Sequence, residues 1–453
     1  MKMCKENKIS CTFATEYCFE LLTQFTYTKL MRAKYPFLAR TVMLLCAVLM
    51  TVTAWADNVT YLDSDGTTKT ATGATKITET NYQFDAGGWY YVSGEFTING
   101  ALCFSTTDDV NIILCDDAAL TLNCNNSDPR NCIYCGGNLT IYAQSADEHM
   151  GILHSIHYSE DYDVVKCDKD VTIKGGHVWL TGALSDNKKG ISAQNISISD
   201  GDVTIVGSPI GLYATGNIAI SGGIVAMVQG KIVAGNDITL GWMKYNDWIK
   251  ADEGYEAGAS GKVSVAASKP FKYDENGTLD GGSTLDATTL AAIKEKRLKP
   301  AVVARIGEIG YATFADALDH VASDETITLL GNVDESDTEK YFSPDENITL
   351  DLNNHTATIK AIGGIANLTI KNGTLTLQTI NNANVNNDET LTIDNAKVAV
   401  TSNLQWLADF ITLQNNANLE VQNFVYCSGG EGKMVLSIDA TSQMTLTDCA
   451  IGG

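Results

Sequence analysis

Apolar and polar residues alternate over short runs along most of this chain. In three places two such runs are joined through a glycine in the same arrangement: Val171, Ile173, Gly176, Val178, Leu180; then Ile196, Ile198, Gly201, Val203, Ile205; then Ile218, Ile220, Gly223, Val225, Met227. The arrangement returns at Leu368, Ile370, Gly373, Leu375, Leu377, and again at Leu391, Ile393, Ala396, Val398, Val400, with alanine where the glycine was. Spacings of 25, 22 and 23 residues are those of a stacked solenoid and too short for an independent domain.

Apolar residues at every second position share one face of an extended strand, and a glycine between two such runs permits a sharp bend. Each repeat therefore holds at least two strands. A third is marked by Gly190, Ile191, Ala193, by Gly211, Leu212, Ala214 and by Ile232, Ala234, at near-constant offset. Three short strands per coil, stacked about 4.8 Å from those of the next coil, make a parallel β-helix. The expected fold is all-β: a right-handed parallel β-helix, or β-solenoid, in two units with short capping helices. Asn195, Asn217 and Asn236 recur just before the first strand and read as a column of turn asparagines in left-handed backbone. Phe314, Leu318 and Val321 recur at helical spacing between Tyr311 and Ala322, and a second short helix is expected near Ala287 to Lys296. Both read as packing elements.

Composition shifts divide the chain. Residues 1–30 hold no recognisable element and read as a non-native extension of the start. Residues 31–56 read as a signal peptide, with Arg32, Lys34 and Arg40, an apolar run from Thr41 to Val52, and Ala54-Trp55-Ala56 before the cut. That core is shorter than the roughly 20 apolar residues of a spanning helix, and no later stretch is apolar enough to cross a membrane. Residues 57–100, with Trp89, Tyr90 and Tyr91, read as an N-terminal cap or first coils; 101–241 as the first β-helix unit; 242–300 as an irregular connection; and 301–453 as a second, truncated unit that stops at Gly453 within strand-like sequence.

The 397 residues after the signal carry 24 Lys or Arg against 51 Asp or Glu, a net charge of −27. A surface so negative, with no basic cluster, argues against nucleic acid and polyanionic polysaccharide, and leaves neutral glycans, proteins or cations. Eight cysteines remain, six of them Cys103, Cys115, Cys124, Cys132, Cys135 and Cys167. Export would permit disulfides, and Cys132 with Cys135 forms one Cys-x-x-Cys, but a zinc site wants a second such pair. Inert core thiols rank first, disulfides second and metal third, with Cys115 and Cys124 in strand-like runs.

At these residues the chain resembles bacterial surface proteins of the β-helix, adhesin-like type, some of them described as carbohydrate-binding domain proteins. A line like Asp109-Val110-Asn111-Ile112-Ile113-Leu114 precedes one like Asn138-Leu139-Thr140-Ile141-Tyr142 there, and glycine-bent coils come next. Their second unit opens with a motif like Tyr311-Ala312-Thr313-Phe314 and continues into one like Ile348-Thr349-Leu350-Asp351-Leu352-Asn353. The resemblance covers most of residues 85 to 400. It implies a solenoid in a cell-surface setting and supplies no motif of catalytic residues.

Polysaccharide lyases and glycoside hydrolases also use this fold, and hydrolysis needs two or three converging carboxylates. Outward positions aligned across coils are Lys174 with Ser199 and Ser221, His177 with Asp202 and Ile224, and Trp179 with Thr204 and Ala226, which gather no acidic cluster. His177 beside Asp202 reads first as an incidental surface contact and second as an acid–base pair. Acidic turns at Asp63 and Asp65, Asp108 and Asp109, Asp116 and Asp117, and from Glu160 through Asp163 to Asp168 and Asp170 offer oxygen ligands to calcium without matching a calcium-loop spacing; no other cofactor is expected. Trp179 lies between inward Val178 and Leu180, and Tyr213 between Leu212 and Ala214, so both point outward, where aromatic rings can stack on sugars; for Trp179, packing under a loop is an equal reading. Trp242 and Tyr245, near Trp248, are further candidates, with padding of the boundary as the competing reading. The expectation is a secreted or cell-surface, non-catalytic β-helix that adheres to a glycan or a host or cell-surface protein. A polysaccharide lyase or glycoside hydrolase on a pectate-lyase-like fold is the runner-up, and a structural surface spacer the third reading.

Overall fold

The computed structural model describes residues 57–63, 66–124, 131–146, 149–157, 162–182, 188–275, 277–343, 346–364, 367–381, 390–401, 410–423, 425–427 and 435–452. The extension and signal expected over residues 1–56 lie outside them. Contacts divide the chain into one unit of residues 1–58 and 72–75, of which 57, 58 and 72–75 are described, and a second of residues 59–71 and 76–453. The second unit is nearly all β, a parallel β-solenoid in a chain of about 14 stacked turns, with two short helices among the described residues.

From residue 83 to 265 each coil contributes three strands. The first column stacks Gly88–Val92, Val110–Leu114, Leu139–Ala143, the first halves of Val171–Thr181 and Ile196–Val206, then Ile218–Ile220, Ile238–Leu240 and Val263–Val265, all parallel. The second stacks Glu95–Ile98, Ala119–Cys124, Ile152–His157, the second halves of the two long strands, Ile224–Val228 and Trp248–Ala251. A separate sheet of eight strands forms the third column, where Ile191, Leu212 and Ile232 stand in register above Ala193, Ala214 and Ala234. Register is what builds the core. Val171, Ile196, Ile218, Ile238 and Val263 align as one buried column, and Ile173, Ile198, Ile220, Leu240 and Val265 as the next.

The bend between the first two columns needs glycine at Gly176, Gly201 and Gly223, where φ is +89°, +95° and +85°. A Cβ on Gly201 would sit 2.7 Å from the Gly176 carbonyl oxygen, and one on Gly223 2.6 Å from that of Gly201. In the later repeats the left-handed residue is instead the asparagine just before the template glycine: Asn372 has φ +58° and Asn395 φ +50°. That shift is why alanine is accepted at 396. Asparagine pays least for left-handed backbone among residues with a Cβ.

The recurring asparagines before the first strand do another job. Asn195, Asn217 and Asn236 are not left-handed, which corrects the turn reading. The Asn195 side-chain oxygen accepts from the Asn217 backbone N–H at 2.8 Å, Asn217 accepts from that of Asp237 at 3.1 Å, and Asp237 from that of Lys262 at 2.9 Å. Below them Asp170 accepts from the backbone and side chain of Asn195 at 3.0 and 2.9 Å. The column satisfies one corner N–H per coil that would otherwise lack a partner, and its members are Asn195, Asn217 and Asp237 rather than Asn236.

Beyond residue 265 three antiparallel strand pieces intervene, Phe271–Lys272, Thr278–Leu279 and Lys299–Pro300. Helix α1, Ala287–Ala292, is capped by Asp286 and buries none of its own residues; Ile293, Leu285 and Leu298 around it do the packing. Helix α2, Phe314–His320, buries Phe314, Ala317 and Leu318 against Ile327, Leu329 and Ile348. Its first N–H groups are met by Glu335, whose two carboxylate oxygens accept from Phe314 and Ala315 at 2.7 and 2.9 Å, and by Thr313, which accepts from Asp316 at 3.0 Å. Parallel stacking then resumes from Thr326–Leu329 through Asn347–Asp351, Asn367–Asn381, Thr390–Val400 and Phe410–Gln414 to Val435–Ile438.

Substitution separates the two kinds of bend. Gly201→Ala, clashing with Gly176 and strained at φ +95°, should cost about 2 kcal/mol in denaturant unfolding. Asn395→Gly, which keeps a left-handed position open, should cost less than about 1 kcal/mol, the worth of its side-chain hydrogen bond.

Candidate functional site

The outer face of the second column carries the largest exposed ring of this region. On strand Val171–Thr181 the alternation sends Val178 and Leu180 into the core and leaves Trp179 53 % exposed. In-register pairing sets Thr121, His154, Trp179 and Thr204 in one outward row across four coils. The His154 ring stands 5.9 Å from that of Trp179, tilted by 59°. Two residues earlier on each strand a second outward row aligns Ile152, His177, Asp202 and Ile224, in which Ile152 is 41 % exposed. His177 Nδ1 lies 3.5 Å from Asp202 Oδ2, and the Thr204 hydroxyl donates to Asp202 Oδ1 at 3.2 Å. Three neighbouring coils thus present an aromatic ring, an aliphatic side chain, two imidazoles and a hydrogen-bonded carboxylate over roughly 10 Å of backbone that cannot shift independently.

The other three aromatic candidates lie elsewhere. Tyr213 points outward, half-buried, but from the third column, in a row with Ser192 and Val233, and the Lys189 ammonium sits 4.8 Å from its ring centre. It cannot share a ligand face with Trp179. Trp242 is 1 % exposed, its indole N–H donates to the Pro270 carbonyl at 2.9 Å, and Lys269 lies over its ring at 4.3 Å. Its ring is inside the fold and is withdrawn as a contact residue. Tyr245 is half-buried under the Arg305 guanidinium at 5.1 Å, and Trp248 under that of Arg297 at 4.0 Å. Both are engaged by basic residues from beyond the first solenoid stretch.

Ile152 and His154 were missed from the sequence. Their strand alternates, but its inward positions include Ser155 and His157, both buried, so no apolar run marks it. The expected alignment of Lys174 with Ser199 is also corrected: an irregularity beside the bend pairs Lys174 with Asp200. Lys174 also meets Asp63 at 2.9 Å and the Tyr142 ring at 5.2 Å, and Asp200 holds Lys244 at 2.7 Å.

Of the acidic turns considered for calcium, Asp65 and Glu160 lie outside the described residues, while four of the described carboxylates are engaged in the fold. Asp116 accepts from Ser145 at 2.8 Å, Asp117 pairs with His149 at 2.9 Å, Asp109 accepts from Asn138 at 2.7 Å, and Asp168 accepts from the Tyr134 hydroxyl at 2.7 Å. That last bond pushes the Tyr134 phenol up to about 12. Among the described residues no group of three or more His, Cys, Asp or Glu is placed to hold a metal ion, and no helix is long and apolar enough to cross a membrane. Cys124 and Cys132 form a disulfide with Cα atoms 5.6 Å apart, which corrects the reading of Cys124 as an inert core thiol. Cys115 is a free, buried thiol, and burial first, then Asp116, push it up to about 11.

Compared with known proteins, the chain matches no family model, no curated protein and no solved structure. Its function is therefore read from the face itself.

Because the Cys115 thiol ionises only well above the ordinary cysteine range of about 8.5, its thiolate fraction at pH 8 is about a thousandth. Iodoacetamide at pH 8 should label half-exposed Cys103 while leaving Cys115 unmodified in the native protein. Labelling of Cys115 should rise about tenfold per pH unit towards pH 11 if the fold persists, as read by peptide mass.

Proposed function

We propose that this protein is an exported, cell-surface or secreted β-solenoid that adheres to carbohydrate through the Trp179 face, without catalysing a reaction. The observation that carries the reading is Trp179, half its surface in water on a rigid parallel sheet. A large ring kept exposed beside polar groups is the composition of a sugar platform: the apolar face of a pyranose covers the ring while its hydroxyls reach hydrogen-bonding neighbours. His154, His177, Asp202 and Thr204 supply those neighbours. A neutral glycan also suits the net charge of −27 over the residues after position 56. Export rests on the sequence pattern of residues 31–56.

The pair His177 and Asp202 keeps a second reading in view, a polysaccharide-cleaving enzyme on the same scaffold. Retaining or inverting hydrolysis needs a second carboxylate facing the first at about 5 to 9.5 Å; the outward rows beside Trp179 bring Asp202 together with imidazole, hydroxyl and aliphatic groups instead.

Retention on an array of neutral host and plant glycans, with and without calcium, tests the proposal. The expected outcome is saturable binding without product. Trp179→Ala should weaken it at least about tenfold, close to 1.4 kcal/mol, and Tyr213→Ala, on the other face, should leave it unchanged. Binding to no glycan overturns the carbohydrate reading, and release of shortened or unsaturated sugars moves the protein to the enzyme reading.

A further inference from the structure

On the inner side of the third column Phe104, Cys135 and Cys167 succeed one another in register on neighbouring parallel strands. The two cysteines are 0 % and 2 % exposed. Strands paired this way lie about 4.8 Å apart, within the Cα span of roughly 4.4 to 6.8 Å that a disulfide takes. Both thiols turn to one acceptor: the Gly137 carbonyl oxygen receives Cys167 Sγ at 3.0 Å and Cys135 Sγ at 3.6 Å. The closeness of the two thiols holds the proton on Cys135 and favours ionisation of Cys167. Packing alone does not ask for sulfur here, since alanine fills the end-of-strand position at Ala193, Ala214 and Ala234 in later coils.

We propose that Cys135 and Cys167 form a second disulfide, one that ties two successive coils together. The existing bridge joins residues 8 apart and closes a single corner; the new one would close a loop containing a whole coil and restrain the unfolded chain more strongly. The oxidant is a small-molecule or protein disulfide. The Cys167 thiolate attacks one of its sulfurs and releases the first thiolate; Cys135, as its proton leaves, attacks the Cys167 sulfur of the mixed disulfide and releases the second. The two cysteine protons end on the two released thiols, and the two electrons on the reduced reagent. Since both sulfurs are buried, the exchange takes place while the third column is assembling or locally open.

Refolding the reduced full chain in oxidised and reduced glutathione, blocking remaining thiols with N-ethylmaleimide under denaturing conditions and mapping unreduced peptides tests this. Trypsin after Arg130 and Lys166 and chymotrypsin after Tyr134 separate the four cysteines concerned. The expected map links Cys135 to Cys167 and Cys124 to Cys132, with Cys103, Cys115 and Cys449 labelled, and the linked pair is lighter than its two reduced peptides by about 2 Da. Cys167→Ala should leave Cys135 labelled and Cys124–Cys132 intact. Label on both Cys135 and Cys167 in a chain whose Cys124–Cys132 bridge has formed overturns the proposal, as does linkage of either to any other cysteine.

Discussion

In-register stacking of one coil on the next is the constraint on which everything else in this structure rests. A coil of 22 to 25 residues cannot enclose its own apolar face, so its inward side chains are buried only because the equivalent side chains above and below continue the same columns. Each buried isoleucine, valine or leucine contributes roughly 1.5–3 kcal/mol, and the columns through Val171 and Ile173 repeat that contribution coil after coil. A register slip of one residue would turn all of them to solvent. The stack is therefore specified by the sum of its columns.

Repetition also fixes how corners are made. Where two columns meet, the chain must turn without a clash against the turn one coil below, and Gly201 and Gly223 meet this by bringing backbone against the backbone of Gly176 and Gly201. The later coils reach the same bend through left-handed Asn372 and Asn395. Side-chain amides then tie those corners too: Asn372 donates to Asp351 at 3.1 Å and Asn395 to Asn372 at 3.2 Å. Asp109, Asp116, Asp117 and Asp168, which read as candidate cation ligands, are likewise engaged by neighbouring side chains.

A scaffold whose shape is held by its interior leaves outward positions free to vary. Trp179, His154 and the Asp202–His177 pair occupy such positions, and strand pairing holds their spacing without help from the side chains themselves. Rigidity of this kind lowers the ordering cost of binding an extended ligand. The same regularity sets Cys135 beneath Cys167 and gives the inner face its own chemistry.

Alternation and its period, read from the sequence by itself, determined the parallel solenoid, the three strands per repeat, helix α2 through Phe314 and Leu318, and the outward direction of Trp179, because these depend on local geometry that recurs in the chain. Tertiary structure decided what depends on which coil meets which. It placed Tyr213 on a different face from Trp179 and Trp242 inside, set Ile152 and His154 beside the exposed ring from a strand with polar inward residues, paired Lys174 with Asp200 across an irregular bend, and joined Cys124 to Cys132. Apart from the Cys124–Cys132 corner, those relations cross from one coil to another through insertions of unequal length, and no local pattern of residues encodes the distance between them.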